Sequence, residues 1–336
     1  AESADEPAPL GARGPDSPST CGSSLAFDGA FLVPEPEKAR RELAHEARVL
    51  DRIQRKLFPG AESATVIARG SESLVVHVQG VEADDDIVVR APRSMDYGRY
   101  VGAYARESDW LARARQVDPE GGAFLAEPPE FRREPDSGMP VLILRSPPMV
   151  TLSQKLGRFG PERAMRDPRA FLRAWRQIAL AVRALHRIDV VHRDIKPSNI
   201  LCSGSRNREH FQLSDLGMAA ERGAQVDGME GLLSGTLSHM SENQMERGHA
   251  TPADDLYALG VTFREMLVGN TVWGLDPTRP ENRIELKSVD EFGTYPILHG
   301  LPDPVAAVVP ASLRRIVDGS YESIDALLEA LPVQPE

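Results

Sequence analysis

The alternation of apolar and polar positions divides the chain into an unpatterned opening, one charged helix, a run of short strands and a helical second half. Residues 1–33 are rich in Pro, Gly, Ser and Ala with little apolar periodicity. Such a stretch buries too little surface to offset chain entropy, which predicts a disordered tail. Pro34 and Pro36 then mark a helix start. From Glu37 to Leu57, the residues Leu43, Ala47, Leu50, Ile53 and Leu57 recur at helical spacing. They predict a helix packed by that stripe, with acids early and bases late as the helix dipole favours.

Ala64 to Gly80 reads as two strands around a turn, and Asp86 to Ala91 as a third. Tyr97 to Gln116 reads as a helix in which Glu107 shares a face with Trp110 and Leu111. Two further strands are predicted at Phe124–Phe131 and Val141–Arg145, followed by a stiff connector, Ser146-Pro147-Pro148-Met149-Val150. Thr151 to Gly157 opens the second half. A long helix over Pro168–Arg187 carries Phe171, Leu172, Trp175, Ile178, Ala179, Val182 and Leu185 at core spacing. A second, Asp254–Leu267, carries Leu256, Leu259, Phe263, Met266 and Leu267. Gly269–Gly300 is long and irregular, and Leu313–Leu331 reads as one or two short closing helices.

Composition adds limits. Of 336 residues, 41% are hydrophobic and 26% charged, which is ordinary for a globular protein. The net charge of −11 argues against nucleic acid as a main partner. No apolar run approaches ~18 residues, so no transmembrane helix is predicted. Cys21 and Cys202 give no disulfide framework. The chain begins at Ala1 rather than Met, which fits a removed leader and a trimmed start alike. The cations are lopsided, with 34 Arg and five Lys.

The densest chemistry lies in Val190-Val191-His192-Arg193-Asp194-Ile195-Lys196-Pro197-Ser198-Asn199-Ile200-Leu201. A carboxylate, an ammonium and an amide sit two and five residues apart between apolar flanks. Phosphoryl transfer needs a carboxylate to position a hydroxyl, a cation to offset charge on the moving phosphoryl, and oxygen ligands for a metal. Asp215-Leu216-Gly217 offers a second ligand shortly after. This run resembles the catalytic loop of protein kinases, H-R-D-x-x-x-x-N, and Asp215 stands at the position of their D-F-G aspartate.

The resemblance covers about residues 60–330 and implies a bilobal α+β protein kinase fold: a small β-rich lobe with one regulatory helix and a helical extension before it, and a larger, mostly helical lobe. The implied boundaries are 34–59 for the extension, 60–332 for the kinase domain, 60–145 for the smaller lobe, 146–150 for the hinge and 151–332 for the larger lobe. It implies ATP and Mg²⁺ as cofactors and a protein as substrate. Asp194 would orient the substrate hydroxyl and Lys196 would contact the transferring phosphate, a lysine that favours Ser/Thr kinases. Asn199 and Asp215 would bind Mg²⁺, with Gly217 closing that motif. His192 and His186 are expected in scaffold roles. Asp255, in a D-x-x-x-x-G match, would brace the loop backbone.

The first lobe matches by order more than by identity. Ala68, Gly70, Ser73 and Val75 occupy the glycine-rich loop, where only Gly70 keeps the family residue. Arg90 replaces the family lysine and Glu107 is its expected partner; Leu144 and Ser146 would face adenine. Ser234 and Thr236 are candidate phosphosites, with Arg193 to receive the phosphate. Asn243 replaces a family glutamate. Arg90 keeps the charge but is forked and larger than lysine. Arginine drift and reduced ATP use account for it equally. A binding scaffold without catalysis is therefore the alternative function, and a small-molecule kinase a remote one. The charged first helix, the altered loop and the strand ending Val89-Arg90-Ala91-Pro92 are also similar to secreted rhoptry kinases of coccidian parasites. That similarity implies rhoptry secretion to a host cell or vacuole; without it, a cytoplasmic site is expected.

Overall fold

A computed structural model describes residues 36–70, 73–81, 86–146, 148–159, 167–204, 209–225, 239–246, 248–268 and 323–331. The predicted tail, the irregular stretch 269–300, Ser234 and Thr236 lie outside the described residues. The chain divides into a short leading unit, Ala1–Arg40, and a larger unit, Arg41–Glu336. Helix α1 (Pro36–Arg52) ends in a single π-turn, Ile53–Leu57.

Leu50, Ile53 and Leu57 of the predicted stripe pack against the core, but its first two positions do not. Leu43 is 63% exposed and Ala47 is exposed, while His45, Val49 and Ile53 are buried. Those three positions are four apart and form their own row. His45 selects the row, because its Nε2–H donates to Pro92 O at 3.2 Å and so satisfies a polar group inside the contact.

The smaller lobe is an antiparallel sheet in the order β1 (Ser63–Arg69), β2 (Ser73–Gln79), β3 (Ile87–Pro92), β5 (Pro140–Arg145), β4 (Glu130–Arg133). Alternation is clean on β2 and β3. Leu74, Val76, Val78, Ile87, Val89 and Ala91 are buried on one face with Val141 and Ile143. The intervening residues, among them Val75 and Arg90, stand on the opposite face as a cross-strand pair. The strand predicted over Phe124–Phe131 begins only at Glu130. Pro128 and Pro129 carry no N–H for a ladder, so the chain before them makes only an isolated bridge, Leu125 to Leu213.

Helix α2 (Gly98–Val117) buries Tyr100, Tyr104, Glu107, Trp110, Leu111 and Ala114, one face in helical period. A short helix α3 (Pro119–Gly122) follows, capped by Asp118, whose Oδ1 accepts the Gly121 N–H at 3.1 Å. A Cβ on Gly121 would lie 2.4 Å from Leu180 O, so only glycine lets α3 approach the helix behind it this closely.

That helix, α5 (Pro168–His186), is the axis of the larger lobe. Asp167 caps it by accepting the Ala170 N–H at 2.9 Å, with Pro168 at its first position. Phe171, Leu172, Trp175, Ile178, Ala179, Val182 and Leu185 are all buried. Trp175 stacks on Phe263 of α7 (Pro252–Val268) at 4.3 Å between centroids, with 12° between planes. Leu256, Leu259 and Met266 complete the α7 side, and α8 (Ile324–Ala330) adds Ile324, Leu327 and Leu328. Two short helices complete the described set. Helix α4 (Leu152–Lys155) opens on a Thr151/Gln154 capping box, and α6 (Glu242–Met245) precedes α7. Strands β6 (Val150–Thr151), β8 (Ile200–Ser203) and β9 (His210–Leu213) form one small sheet, and β7 (Val190–Val191) pairs with β10 (Ala220–Glu221). Cys202 on β8 is buried in this core, which pushes its thiol up to about 12.

The two lobes are joined by an ion cluster. Arg183 of α5 reaches both oxygens of Asp118 at 2.7 and 2.9 Å and Glu120 at 2.7 Å, and Arg187 lies 3.2 Å from Asp118. Burial opposes the charge on Asp118. Arg183 and the Gly121 N–H outweigh it and hold the carboxyl below its ordinary value.

Candidate active site

The stretch between β7 and β8 is held by its backbone. Asp255 of α7 accepts the His192 N–H at 2.9 Å through Oδ2 and the Arg193 N–H at 2.8 Å through Oδ1. His186 donates to the same Oδ2 at 2.8 Å. Asp255 is fully buried. Burial works against its charge, yet the His186 contacts, His192 and the Arg193 N–H lower its carboxyl below the ordinary range. Gln244 completes the bracing from α6 by donating to Arg193 O at 2.6 Å. Arg193 adopts φ 65°, a left-handed conformation rare for a long side chain, and these bonds supply the surrounding structure that sustains it.

His192 is buried between two backbone groups. Ser214 O lies 3.1 Å from Nε2, and the Asp194 N–H donates to Nδ1 at 3.3 Å. A carbonyl only accepts, so the ring carries its proton on Nε2. Its place is that of a spacer between the loop and the segment after β9 that bears Asp215.

Asp194, Lys196 and Asn199 converge. Lys196 Nζ lies 2.9 Å from Asp194 Oδ1 and 2.8 Å from Oδ2. Asn199 Nδ2 donates to Asp194 O at 2.8 Å and to Asp194 Oδ2 at 2.9 Å. Both acceptors are oxygens, so the nitrogen end of the amide faces Asp194 and its oxygen is left for another partner. The one-turn helix Pro197–Asn199 sets this spacing. The Asn199 carbonyl ties the loop to the next segment by accepting from Ser214 N and Ser214 Oγ, each at 2.9 Å.

Asp215 follows Ser214 at φ 66°. Its Oδ1 accepts from the Gly217 N–H at 3.1 Å and from Arg90 Nη1 at 2.8 Å. A Cβ on residue 217 would stand 3.0 Å from that oxygen, so glycine suits the turn. Burial opposes charge here as well. Arg90, the Gly217 N–H, His192 and Lys196 together hold the Asp215 carboxyl below its usual value. Leu216, where the family motif has Phe, is buried in the core of the larger lobe.

A carboxylate and an amide oxygen are hard donors, the kind Mg²⁺ takes while keeping waters and phosphate oxygens for its other positions. The open oxygen of Asn199 and the Asp215 carboxylate fit that ion. Among the described residues, no group of three or more His, Cys, Asp or Glu is spaced to hold a metal alone.

Arg90 reaches the site from β3. Nη2 pairs with Glu107 Oε2 of α2, and the guanidinium stands 5.2 Å from the centroid of the Tyr104 ring. Burial disfavours the charge on Arg90 most, but Glu107 and Asp215 raise its pKa overall. Glu107 is raised as well, because burial raises it further than Arg90 lowers it, which favours its neutral form. Tyr104 is a contact that the sequence pattern did not single out.

The glycine-loop positions lie at the β1–β2 end. Ala68 pairs with Val75 across a bulge, and the Gly70 N–H donates to Ser73 O at 2.8 Å, closing the turn. Arg69 Nε and Nη2 donate to Glu46 of α1 at 2.9 and 2.6 Å. Arg93 donates to Gly70 O at 2.8 Å and lies 3.3 Å from Glu42. The sequence pattern gave no sign of these side-chain ties from α1 to the loop. Leu144 lies on β5 opposite Val88, and Ser146 in the bend beyond the strand with its Oγ buried.

The Arg193 side chain is buried, with Nη1 3.4 Å from Met218 O. Burial lowers its pKa, and Asp254 and Asp255 offset that only in part. Asn243, which stands where the family motif has a glutamate, donates to both oxygens of Asp254, at 3.0 and 3.2 Å, and to His249 O at 3.0 Å.

Comparison with known proteins places this site in context. Residues 149–315 match the family model described as protein kinase domain. A probable serine/threonine-protein kinase, pknA2 of Bifidobacterium longum, is 32% identical over 160 residues, covering 44% of this chain and 20% of that protein. The serine/threonine-protein kinase PknL of Mycobacterium tuberculosis is 29% identical over 205 residues, covering 61% of this chain and 48% of that protein. The chain thus spans half or less of these curated relatives. The solved structure of the Cydia pomonella granulovirus kinase PK-1 superposes with a TM-score of 0.55, covering 88% of this chain and 98% of that one at 18% identity.

Proposed function

Taking the chain as a eukaryotic-type protein kinase in fold and in the sequence of its larger lobe, we propose that it transfers the γ-phosphoryl group of ATP to a serine or threonine hydroxyl of a protein. One observation carries this reading. Asp194, Lys196 and Asn199 are joined within 2.9 Å, and Asp215 is braced beside them through Ser214. The fixed order of a carboxylate, a cation and two oxygen ligands is what phosphoryl transfer needs.

Asp194 accepts the hydrogen bond of the incoming hydroxyl and aims its oxygen. Lys196, already beside that carboxylate, offsets negative charge gathering on the transferred group. Arg90 binds phosphate oxygens from the opposite side. Asn199 and Asp215 would hold Mg²⁺, which supplies charge neutralisation between the terminal phosphates. Asp255 and Gln244 act through the backbone and keep Asp194 from drifting. Ala68, Gly70, Ser73 and Val75 cover the phosphates, and Leu144 and Ser146 border the adenine. A phosphate on Ser234 or Thr236 would draw Arg193, a buried cation without a carboxylate bonded to it among the described residues.

The test is a radiolabel transfer assay on the purified chain with a generic basic protein and with autophosphorylation. Asp194→Asn should abolish transfer and keep the melting curve. Turnover retained by that variant refutes the assignment.

A second reading has one observation behind it. Arg90 sits directly on Asp215, the carboxylate a metal needs, as expected of a binding scaffold that has given up turnover. ATP binding with no transfer under any metal condition would select it. The finer placement among secreted rhoptry kinases rests on α1, the altered loop and Val89-Arg90-Ala91-Pro92, and it carries the proposal of secretion to a host cell or vacuole. A full-length transcript encoding a signal peptide supports it, and a cytosolic start removes it.

A further inference from the structure

Arg90 meets two carboxylates at once. One arm of its fork reaches Glu107 on the helix α2, and the other reaches Asp215 Oδ1 at 2.8 Å. The Tyr104 ring lies 5.2 Å away, and the Arg90 side chain is only 15% exposed. The guanidinium is therefore fixed from three sides. A lysine ammonium ends in one nitrogen on a flexible stem and cannot hold two separate carboxylates in this planar way.

Both donors on Asp215 fall on Oδ1; Oδ2 accepts no hydrogen bond among the described residues. A divalent ion bound to Asp215 thus shares one carboxylate with a standing cation, and like charges at that range repel. Arg90 also retains N–H groups, because a guanidinium has five donors and the two carboxylates take two of them. The second N–H on each Nη is left for a phosphate oxygen.

The geometry points to Arg90 as a resident cation of the nucleotide site: it supplies part of the charge that Mg²⁺ would otherwise bring, so that ATP binding by this chain depends only weakly on divalent metal. The inference rests on the nucleotide reading of this site and deepens it. It concerns binding, and the order of events in transfer is separate.

The experiment titrates ATP into the purified full chain by calorimetry and thermal shift, in EDTA and in saturating Mg²⁺, for wild type and Arg90→Lys. Wild type should bind ATP with affinities within about threefold in the two conditions, while Arg90→Lys should lose about tenfold or more when the metal is removed. Mn²⁺ alone, followed by electron paramagnetic resonance without nucleotide, should bind Arg90→Lys about tenfold more tightly than wild type, since the carboxylate is released. Equal metal dependence in the two proteins overturns the inference and leaves the nucleotide site standing. Absence of ATP binding by wild type in both conditions overturns the inference and the nucleotide reading together. Should Arg90→Lys not fold, Arg90→Gln takes its place. That variant removes the cation and should lose about tenfold or more in ATP affinity in EDTA, and an unchanged affinity overturns the inference.

Discussion

Glu46 of α1 holds Arg69, the last residue of β1, through two hydrogen bonds at 2.6 and 2.9 Å. Arg69 immediately precedes the turn at Gly70, whose carbonyl is held in turn by Arg93. A helix that precedes the sheet thus grips the loop expected to cover phosphates. The position of that loop is set from outside the sheet.

Glu46→Ala should therefore separate stability from binding. Exposed ion pairs contribute little to folding, so the unfolding midpoint should barely move. The loop loses a constraint, and ATP affinity should fall about threefold through lost preorganisation. Calorimetric titration beside a thermal melt checks both. An unchanged affinity would show the contact to be decoration.

Asp255→Asn should be costly. The variant keeps one acceptor oxygen but turns an NH₂ group toward a backbone N–H of His192 or Arg193. Leaving a buried donor unsatisfied at a charged site costs about 3 kcal/mol. Urea unfolding should show this, and transfer activity should fall at temperatures where the variant is still folded.

Asp118→Asn should weaken the join between α3 and α5. Arg183 would lose its buried charged partner and keep only the exposed Glu120, at a cost of about 3 kcal/mol. Asp118→Asn with Arg183→Met should recover part of the loss, because the under-compensated buried cation is then gone. A double-mutant cycle in urea measures the coupling.

Acid should expose the same carboxylates. Asp118, Asp215 and Asp255 all have folded values below the ordinary carboxylate value of ~3.9. The stability they contribute is present above that value and is lost as pH falls through their folded values. Glu107 has the opposite sign: its raised value favours the neutral form in the fold, and it withdraws stability as pH rises past the unfolded glutamate value. Stability should drop steeply below about pH 4. Asp118→Asn should fall less over the same range, as read by urea unfolding at stepped pH.

The larger lobe was far more legible in the sequence than the smaller one. Asp194, Lys196 and Asn199 lie within six consecutive residues, so their convergence follows from one tight turn. Helix α5 buries every residue its spacing marked. Only the early positions of the α1 stripe, Leu43 and Ala47, were misread, because two rows of that helix carry apolar residues and His45 of the other row finds Pro92 O, 47 residues away. The early strand failed on Pro128 and Pro129, whose missing N–H groups outweigh the apolar pattern. The Arg183–Asp118 contact spans 65 residues and the Arg69–Glu46 contact 23. In a chain with 34 arginines, no local rule says which ones find a carboxylate. The pairing of Arg90 with Glu107 was legible through the family pattern; its second hold on Asp215 was not, because it depends on the reach of a forked side chain across the cleft.

Cys202 gives the larger lobe a chemical clock. Its side chain is buried in the core of that lobe, and a thiol pushed up to about 12 is almost wholly protonated at neutral pH. Maleimide or iodoacetamide can then react only when β8 peels open, so the alkylation rate counts openings of the strand that follows the Asp194–Asn199 loop. Any ligand that seats itself on Asn199, three residues upstream, should slow that clock, which allows occupancy to be followed by mass spectrometry without a substrate in hand.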